Sequence, residues 1–491
     1  MSRSVASGWL AGVERLGNRL PHPTLLFVWL CLLLLPLTAL LARLMPAATH
    51  PLNGDSLLIR SLLSGEGLRW MLTSAVSNFT GFAPLGVVLV AMLGIGLAEQ
   101  AGLLGTLLRG LVRRAPTALL TPLVAFAGVL SSIAADAGYV VLIPLAALLF
   151  QQAGRSPLTG IAVAFAGVSG GFSANLLIGP VDALLAGISS EAARTLDDQA
   201  IVSASSNYWF MLVSTVLVVL VVSLVTRRYA SDQGGHNASA TDDNPVSRRT
   251  LLLTGLALLA YLLLILWLTV PASAPLRHPQ TGSLVSSPFI ASIVVIVALG
   301  FACCGLVFGY SSGRFRRGSE VIEALEQTMA QLSGYLVLMF FAAQFVAWFS
   351  WSGAALILAI HGAALLGELS LPAPLLLVLL VLLVALLNLL IGSASAKWAL
   401  LAPLLVPMLM LLGVPPEASQ AAFRVGDSST NIITPLMPYF ALVLGFVRRH
   451  DASAGIGTLM AMMLPYSIAL LVSWSLLLAL WLALGWPLGV Y

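Results

Sequence analysis

The sequence predicts an all-α polytopic membrane protein: nine transmembrane helices and two re-entrant hairpins, arranged as an inverted repeat. Of its 491 residues, 59% are hydrophobic and 9% charged, against roughly a quarter charged in an ordinary soluble domain. Several apolar runs, 24–45 and 457–485 among them, exceed the ~20 residues that a helix needs to cross a bilayer. One pair of shorter apolar pieces, split by small polar residues, recurs in each half with different flanking charge.

Charge and cysteine usage exclude other classes. The net charge of +4 comes from arginines in short loops beside apolar runs, which sets membrane orientation and gives no basic face for nucleic acid. Cys31, Cys303 and Cys304 lie inside apolar runs without zinc-site spacing. Residues 3–19 carry three arginines ahead of the first apolar run. That run is longer than the ~7–15 residues of a cleavable signal segment, so an uncleaved first helix is expected. GVSGG (Gly167–Gly171) fits the string of a hydrolase nucleophile elbow but lacks the preceding strand, so Ser169 carries little weight as a nucleophile.

Flanking arginines orient the spans consistently. Arg15 and Arg19 place the N-terminus in the cytoplasm; span 1 (24–45) leaves and span 2 (82–100) returns to Arg109, Arg113 and Arg114. The pieces 117–133 and 139–152, split by SSIAADAG, have arginines on both sides, so they form a hairpin (117–152) that enters and leaves by the cytoplasmic face. Span 3 (158–180) goes out with a break at GGFSANLLIGP, and span 4 (207–226) returns to Arg227 and Arg228. A polar linker, 229–249, then divides the N-terminal half (1–228) from the C-terminal half (250–491).

Spans 5 (251–270) and 6 (288–309) go out and back, followed by an amphipathic piece, 318–333, and by span 7 (334–367), broken near Ser350–Gly353. No arginine lies between Gly362 and Glu417, so the second hairpin (372–412; pieces 372–391 and 398–412, split by GSASAK) enters from outside. Span 8 (418–447) returns to Arg448, Arg449 and His450. Span 9 (457–485) brings Trp474, Trp481 and Trp486, expected as interface anchors. Gly305 and Gly309 form a GxxxG expected to pack a helix, with a subunit contact as one candidate.

The halves share landmarks. Pro144 and Pro157 are thirteen apart, as are Pro403 and Pro416, and Gly154 and Gly413 precede the second proline of each pair. SANLLIGP (Ser173–Pro180) answers STNIITP (Ser429–Pro435). Ser173, Asn175, Ser429 and Asn431 therefore mark backbone breaks, and broken backbone survives at membrane depth only where it lines a protein-buried site. Inverted repeats meeting at such breaks are a common architecture of secondary transporters.

Charges at depth cost roughly 2.5–3.5 kcal/mol each on the insertion scale, so each requires a reason. Asp136 falls at the first hairpin tip, Lys397, the single lysine, at the second, and Asp182 after the span 3 break. Arg424 and Asp427 share a face of span 8 and could simply neutralise each other. Alternatively, Arg424 binds a substrate carboxylate through its planar fork. Asp427, with the Asn388 amide, then offers oxygens to a sodium ion or carries a proton. Trp398 offers a flat face to an aromatic ligand, and Ser393 and Ser395 offer hydroxyls.

The stretches ERLGNRLPHP (Glu14–Pro23), ADAGYVVLIPLAALLF (Ala135–Phe150), GVSGGFSANLLIGPVDALLAG (Gly167–Gly187), SASAKWALLAPLLVPM and FRVGDSSTNIITPLMPY resemble the AbgT family of p-aminobenzoyl-glutamate transporters. The resemblance implies a homodimer of nine-span subunits in the bacterial inner membrane, related in fold to sodium-coupled dicarboxylate transporters. Such proteins import p-aminobenzoyl-glutamate, a folate breakdown product, or export sulfonamide antimetabolites, using ion gradients. By motif match the family's substrate residues fall on Asp182, Ser395, Trp398, Pro416 and Arg424, and its sodium residues on Asn388 and Asp427. The expectation is an alternating-access carrier for aromatic carboxylates, with no organic cofactor, coupled to sodium or protons. A sodium-coupled dicarboxylate carrier is the alternative within the same fold.

Overall fold

The computed structural model describes residues 23–490 apart from 53, 114–115, 117–118, 135–137, 230–246, 272, 285–286 and 438. Arg15, Arg19, Arg114 and Asp136, and nearly all of the linker, lie outside the described residues. The first half contains α1 (Pro23–Leu44), α2 (Gly65–Thr80), α3 (Ala83–Gln100), α4 (Leu103–Arg113), α5 (Leu120–Leu130), α6 (Ile143–Gln152), α7 (Pro157–Phe165), α8 (Pro180–Ala193) and α9 (Tyr208–Tyr229). The second contains α10 (Arg248–Thr269), α11 (Ile293–Ser312), α12 (Gly318–Gln331), α13 (Ser333–Trp351), α14 (Ala354–Glu368), α15 (Ala373–Asn388), α16 (Ala394–Leu411), α17 (Pro416–Asn431), α18 (Phe440–Arg448) and α19 (Ile456–Ala483). One two-residue strand pair, Ala48–Thr49 with Ser56–Leu57, ties the loop after α1.

Eight helices among the described residues are long and apolar enough to cross a membrane, one of them running over both α2 and α3. Seven coincide with predicted spans, and the eighth is α16. Spans 3 and 8 are missing from that set because each is interrupted. Span 3 is α7, a π-helical turn at Ala166–Gly170, irregular chain and then α8; Gly171 N–H reaches back five residues to Ala166 O. Span 8 is α17, an irregular stretch and α18. Span 7 divides between α13 and α14 at Gly353, whose φ of 73° is in the left-handed region.

The first hairpin is built from α5 and α6, 11 and 10 residues long. At 1.5 Å per residue neither crosses a ~30 Å hydrocarbon core. The repeat is visible in its caps. Both hairpins end on a left-handed glycine, Gly154 (φ 73°) and Gly413 (φ 79°). The next amide bonds five residues back, Arg155 N to Phe150 O and Val414 N to Leu409 O, the pattern of a Schellman stop. Pro157 and Pro416 then open α7 and α17, because proline at a first helical position sacrifices no intrahelical bond.

The distribution of polarity is that of a protein dissolved in lipid. α10 exposes Leu252, Leu256, Leu259 and Leu263 along its length. α17, the most polar of the long helices in this bundle, is buried at every position from Ala418 to Asn431. It packs against α15, α19, α16 and α8.

Several sequence expectations change. α2, capped by Ser64 Oγ accepting Gly67 N–H, lies between spans 1 and 2, where the sequence reading places no element. Its signal is the helical spacing of Leu68, Met71, Leu72, Ala75, Val76 and Phe79, diluted by Glu66, Arg69 and Asn78. The second hairpin's return helix begins at Ala394, not residue 398, so Lys397 belongs to a helix and not to the tip. Trp474 is fully buried and donates from its indole N–H to Ser214 Oγ at 2.7 Å, so it is a packing residue and not an interface anchor. Trp481 is also buried, and Trp486 is half exposed. Gly305 packs on Ala98 of α3 and Gly309 on Phe315, so the GxxxG serves contacts within the chain.

A Cβ at Gly94 would stand 1.9 Å from Ala298 O, and one at Gly305 2.7 Å from Ala98 Cα. Gly94→Val should therefore lower stability by about 3 kcal/mol or more, the upper end of overpacking costs, read as a drop in melting midpoint in detergent. Gly255→Ala, with nothing within 4 Å of the added carbon, should leave the midpoint unchanged or raise it.

Candidate functional site

α17 carries Gln420, Arg424, Asp427 and Asn431 at spacings of four, three and four, which places them on one stripe. The stripe faces the span 3 break and the second hairpin. Arg424 Nη2 donates to Asp182 Oδ1 and, at 3.3 Å, to Ser173 O. Asp182 Oδ2 accepts Gly179 N–H at 2.7 Å, tying the start of α8. Asp427 Oδ1 lies 2.6 Å from Lys397 Nζ, and Asp427 Oδ2 accepts Asn431 Nδ2 at 3.2 Å. Arg424 and Asp427 thus do not neutralise each other, as one sequence reading allowed; each pairs with a different element.

These four are the buried charged side chains among the described residues. A charge moved out of water demands a partner and further hydrogen bonds, and the two pairs leave the site neutral. Arg424 is 1% exposed, yet its Nε and Nη1 have no hydrogen-bond partner among the described residues. That matters because buried donors are nearly always satisfied.

The residues expected to hold sodium are brought together. Asn388 ends α15, Asp427 lies on α17, and both contact Lys397. Asn388 Nδ2 faces Asp427 O at 2.8 Å, and Thr430 Oγ1 and Asn431 Oδ1 at 2.9 Å each. Its Oδ1 accepts from Lys397 Nζ. A hard cation takes oxygen ligands, and here an ammonium already stands within hydrogen-bond reach of both candidate oxygens. In this arrangement the pair does not fit a sodium ion.

The paired breaks behave alike. Asn175 Nδ2 donates to Ser132 Oγ of the first hairpin at 3.0 Å, as Asn431 meets Asn388 of the second. Ser173 N–H donates to Ser428 Oγ at 3.1 Å, joining the two broken spans directly. Ser429 O accepts Ser467 Oγ of α19 at 2.7 Å. Tyr139, past the first hairpin tip, stacks on Tyr439 of the span 8 break with centroids 4.2 Å apart.

The remaining substrate candidates are placed unevenly. Trp398 is fully buried, 4.6 Å from the Phe423 ring, with its indole N–H donating to Ser189 Oγ at 2.9 Å. One aromatic neighbour already covers it. Ser393 Oγ caps α16 through Ala396 N–H and lies 3.2 Å from Ser395 Oγ. Pro416 is half-buried at the start of α17. Ser169 is fully buried against Met437 Sδ at 3.5 Å.

Sequence reasoning gave Lys397 no role and missed a polar chain. Ser189 Oγ meets Gln420 Oε1 at 2.7 Å, Gln420 Nε2 donates to Asn207 Oδ1 at 2.8 Å, and Asn207 Nδ2 donates to Glu417 O at 2.8 Å. The available signal was Gln420, one turn before Arg424. A cavity of about 330 Å³ lies elsewhere, lined by Trp70, Asn78, Glu191 and Trp351 among others. None of the expected substrate residues lines it, and Arg424 and Trp398 are buried.

Lipid-facing helices around a buried polar helix and two broken spans define a polytopic membrane transporter. The chain belongs to the AbgT putative transporter family, whose profile matches residues 8–491. It is 37% identical over 492 residues to the p-aminobenzoyl-glutamate transport protein of Escherichia coli, covering 99% of this chain and 97% of the relative. The crystal structure of the Alcanivorax borkumensis YdaH transporter superposes with a TM-score of 0.92 at 61% identity, covering 96% of this chain and all of that one. MtrF of Neisseria gonorrhoeae, described as one of a class of antimetabolite efflux pumps, superposes with a TM-score of 0.90 at 44% identity, covering 96% and 97%. These relatives are transporters, and the chain is a transporter and not an enzyme.

Two buried polar residues should respond differently to truncation. Asn388→Ala strips the Lys397 ammonium of one partner and takes a donor away from Thr430 Oγ1 and Asn431 Oδ1, so stability should fall by about 2–4 kcal/mol. Ser419→Ala removes a fully buried hydroxyl that has no partner and should be neutral or stabilising. Melting midpoints of the two variants check both signs.

Proposed function

We propose that the chain is an ion-coupled carrier of p-aminobenzoyl-glutamate and related aromatic carboxylates that also exports sulfonamide antimetabolites, working by alternating access. The observation that carries this reading is Arg424: fully buried between the two broken spans, paired on one nitrogen and open on two. A carboxylate is the acceptor that such a fork suits best. The names of two relatives, one for p-aminobenzoyl-glutamate and one for antimetabolites, agree with an aromatic acid or its analogue. They lend no support to the dicarboxylate alternative.

The substrate set is Arg424 for the carboxylate, Asp182 as its positioning partner, and Ser395, Trp398 and Pro416 around the aromatic ring. Because Trp398 is covered by Phe423 in this closed form, ligand entry requires the second hairpin to move relative to α17. The carrier works as a homodimer in the bacterial inner membrane, with a cytoplasmic N-terminus and an ion gradient as its energy source. These assignments rest on the resemblance and on the arginine pattern of the loops.

Arg424→Lys separates binding from folding. The lysine keeps a positive charge beside Asp182 but loses the two open nitrogens. Flux of radiolabelled p-aminobenzoyl-glutamate into proteoliposomes, with sodium and pH gradients imposed independently, should fall more than tenfold, ~1.4 kcal/mol of binding or more, at nearly unchanged melting midpoint. Undiminished flux removes Arg424 from the substrate site. Chemical cross-linking of the purified protein tests the homodimer.

A further inference from the structure

We propose that the Lys397 ammonium is itself the resident cation of the second-hairpin site, occupying the position between Asn388 and Asp427 that the family resemblance gives to sodium, and that it keeps sodium out. The inference takes its functional meaning from the carrier reading above. The test below measures binding and not transport, so either can fail alone.

Geometry comes first. Lys397 Nζ is bonded to Asn388 Oδ1 and lies 2.6 Å from Asp427 Oδ1. An ion coordinated by the same two oxygens would have to overlap the ammonium. The other Asp427 oxygen is engaged by Asn431 Nδ2, and the amide nitrogen of Asn388, not its oxygen, faces Thr430 and Asn431. The surrounding groups are arranged to serve a cation that brings its own N–H donors.

Charge balance gives the same answer. Among the described residues the buried charges are Asp182 with Arg424 and Lys397 with Asp427. A sodium ion added to this set would leave one positive charge uncompensated in the buried interior, which is unfavourable.

Nor is the ammonium free to step aside. Lys397 is fully buried in the first turn of α16, its own N–H bonded to Ser393 O at 3.0 Å. The next residue, Trp398, is held by Phe423 and by Ser189. Withdrawing the side chain would mean moving the helix start as well. A tethered ammonium also differs from a diffusible ion in that it cannot be lost to the bath.

The consequence is specific: removing the amine should create a sodium site where the native chain has none. Lys397→Ala leaves the Asp427 carboxylate and Asn388 Oδ1 facing the vacated space, with the charge and oxygen ligands that a hard monovalent cation requires.

The experiment is equilibrium binding of radiolabelled sodium chloride to the purified full chain in detergent, at constant ionic strength made up with choline chloride. The native protein should show no saturable uptake. Lys397→Ala should gain a saturable site, and Lys397→Ala/Asp427→Asn should lose it again. Saturable binding by the native protein that Asp427→Asn abolishes would overturn the proposal, as would folded Lys397→Ala without any gain. If Lys397→Ala does not yield folded protein, the comparison of native chain with Asp427→Asn decides alone: Asp427-dependent binding overturns the inference, and its absence supports it.

Discussion

The ion pair between Asp182 and Arg424 joins the two halves of the chain in the buried interior. Much of the architecture follows from it. An arginine at membrane depth calls for a partner, and α8 begins within reach of α17 to supply Asp182. The span 3 break makes that possible. The irregular chain before Pro180 re-aims the helix, and Asp182 in its first turn serves the Gly179 amide with one oxygen and Arg424 with the other. Ser173 closes the arrangement, accepting from Arg424 at its carbonyl and donating to Ser428 from its amide.

Lipid decides the rest. Helices such as α10 present leucine to their surroundings, while α17, which carries serine, threonine, asparagine, aspartate and arginine, lies in the centre. In water that arrangement would be inverted, because apolar surface would be driven inward. Here hydrocarbon is the solvent, and the penalty falls on unpaired polar groups. The interior therefore fills with hydrogen bonds that cross between halves: Trp398 to Ser189, Gln420 to Asn207, Trp474 to Ser214 and Thr226 to Tyr466. Arg424 stands apart from this economy, since two of its nitrogens remain open.

What the sequence revealed follows the same physics. Hydropathy located the long spans, and Gly, Pro and Asn located the breaks, because those signals are local. The thirteen-residue proline spacing found the repeat, which the paired left-handed glycines at Gly154 and Gly413 express in three dimensions. Pairing between distant elements was not legible. Arg424 and Asp427 looked like each other's partners because they are three residues apart, yet the real partners, Asp182 and Lys397, come from other segments. Lys397 looked like a tip residue because GSASAK reads as a loop, whereas Ser393 caps a helix that contains it. The amphipathic α2 escaped because its polar face lowered the hydropathy signal.

The central claim is that the Asp182–Arg424 pair is a direct energetic link between the two broken spans. A double-mutant cycle on the purified protein measures it, using Asp182→Ala, Arg424→Ala and both together, with unfolding followed by loss of tryptophan fluorescence signal. Each single change should cost about 3–5 kcal/mol by leaving a charge buried alone, and the double change should cost less than the sum by at least about 2 kcal/mol. Additive losses would show that the two side chains do not act on each other, and the account of how the halves are joined would be wrong.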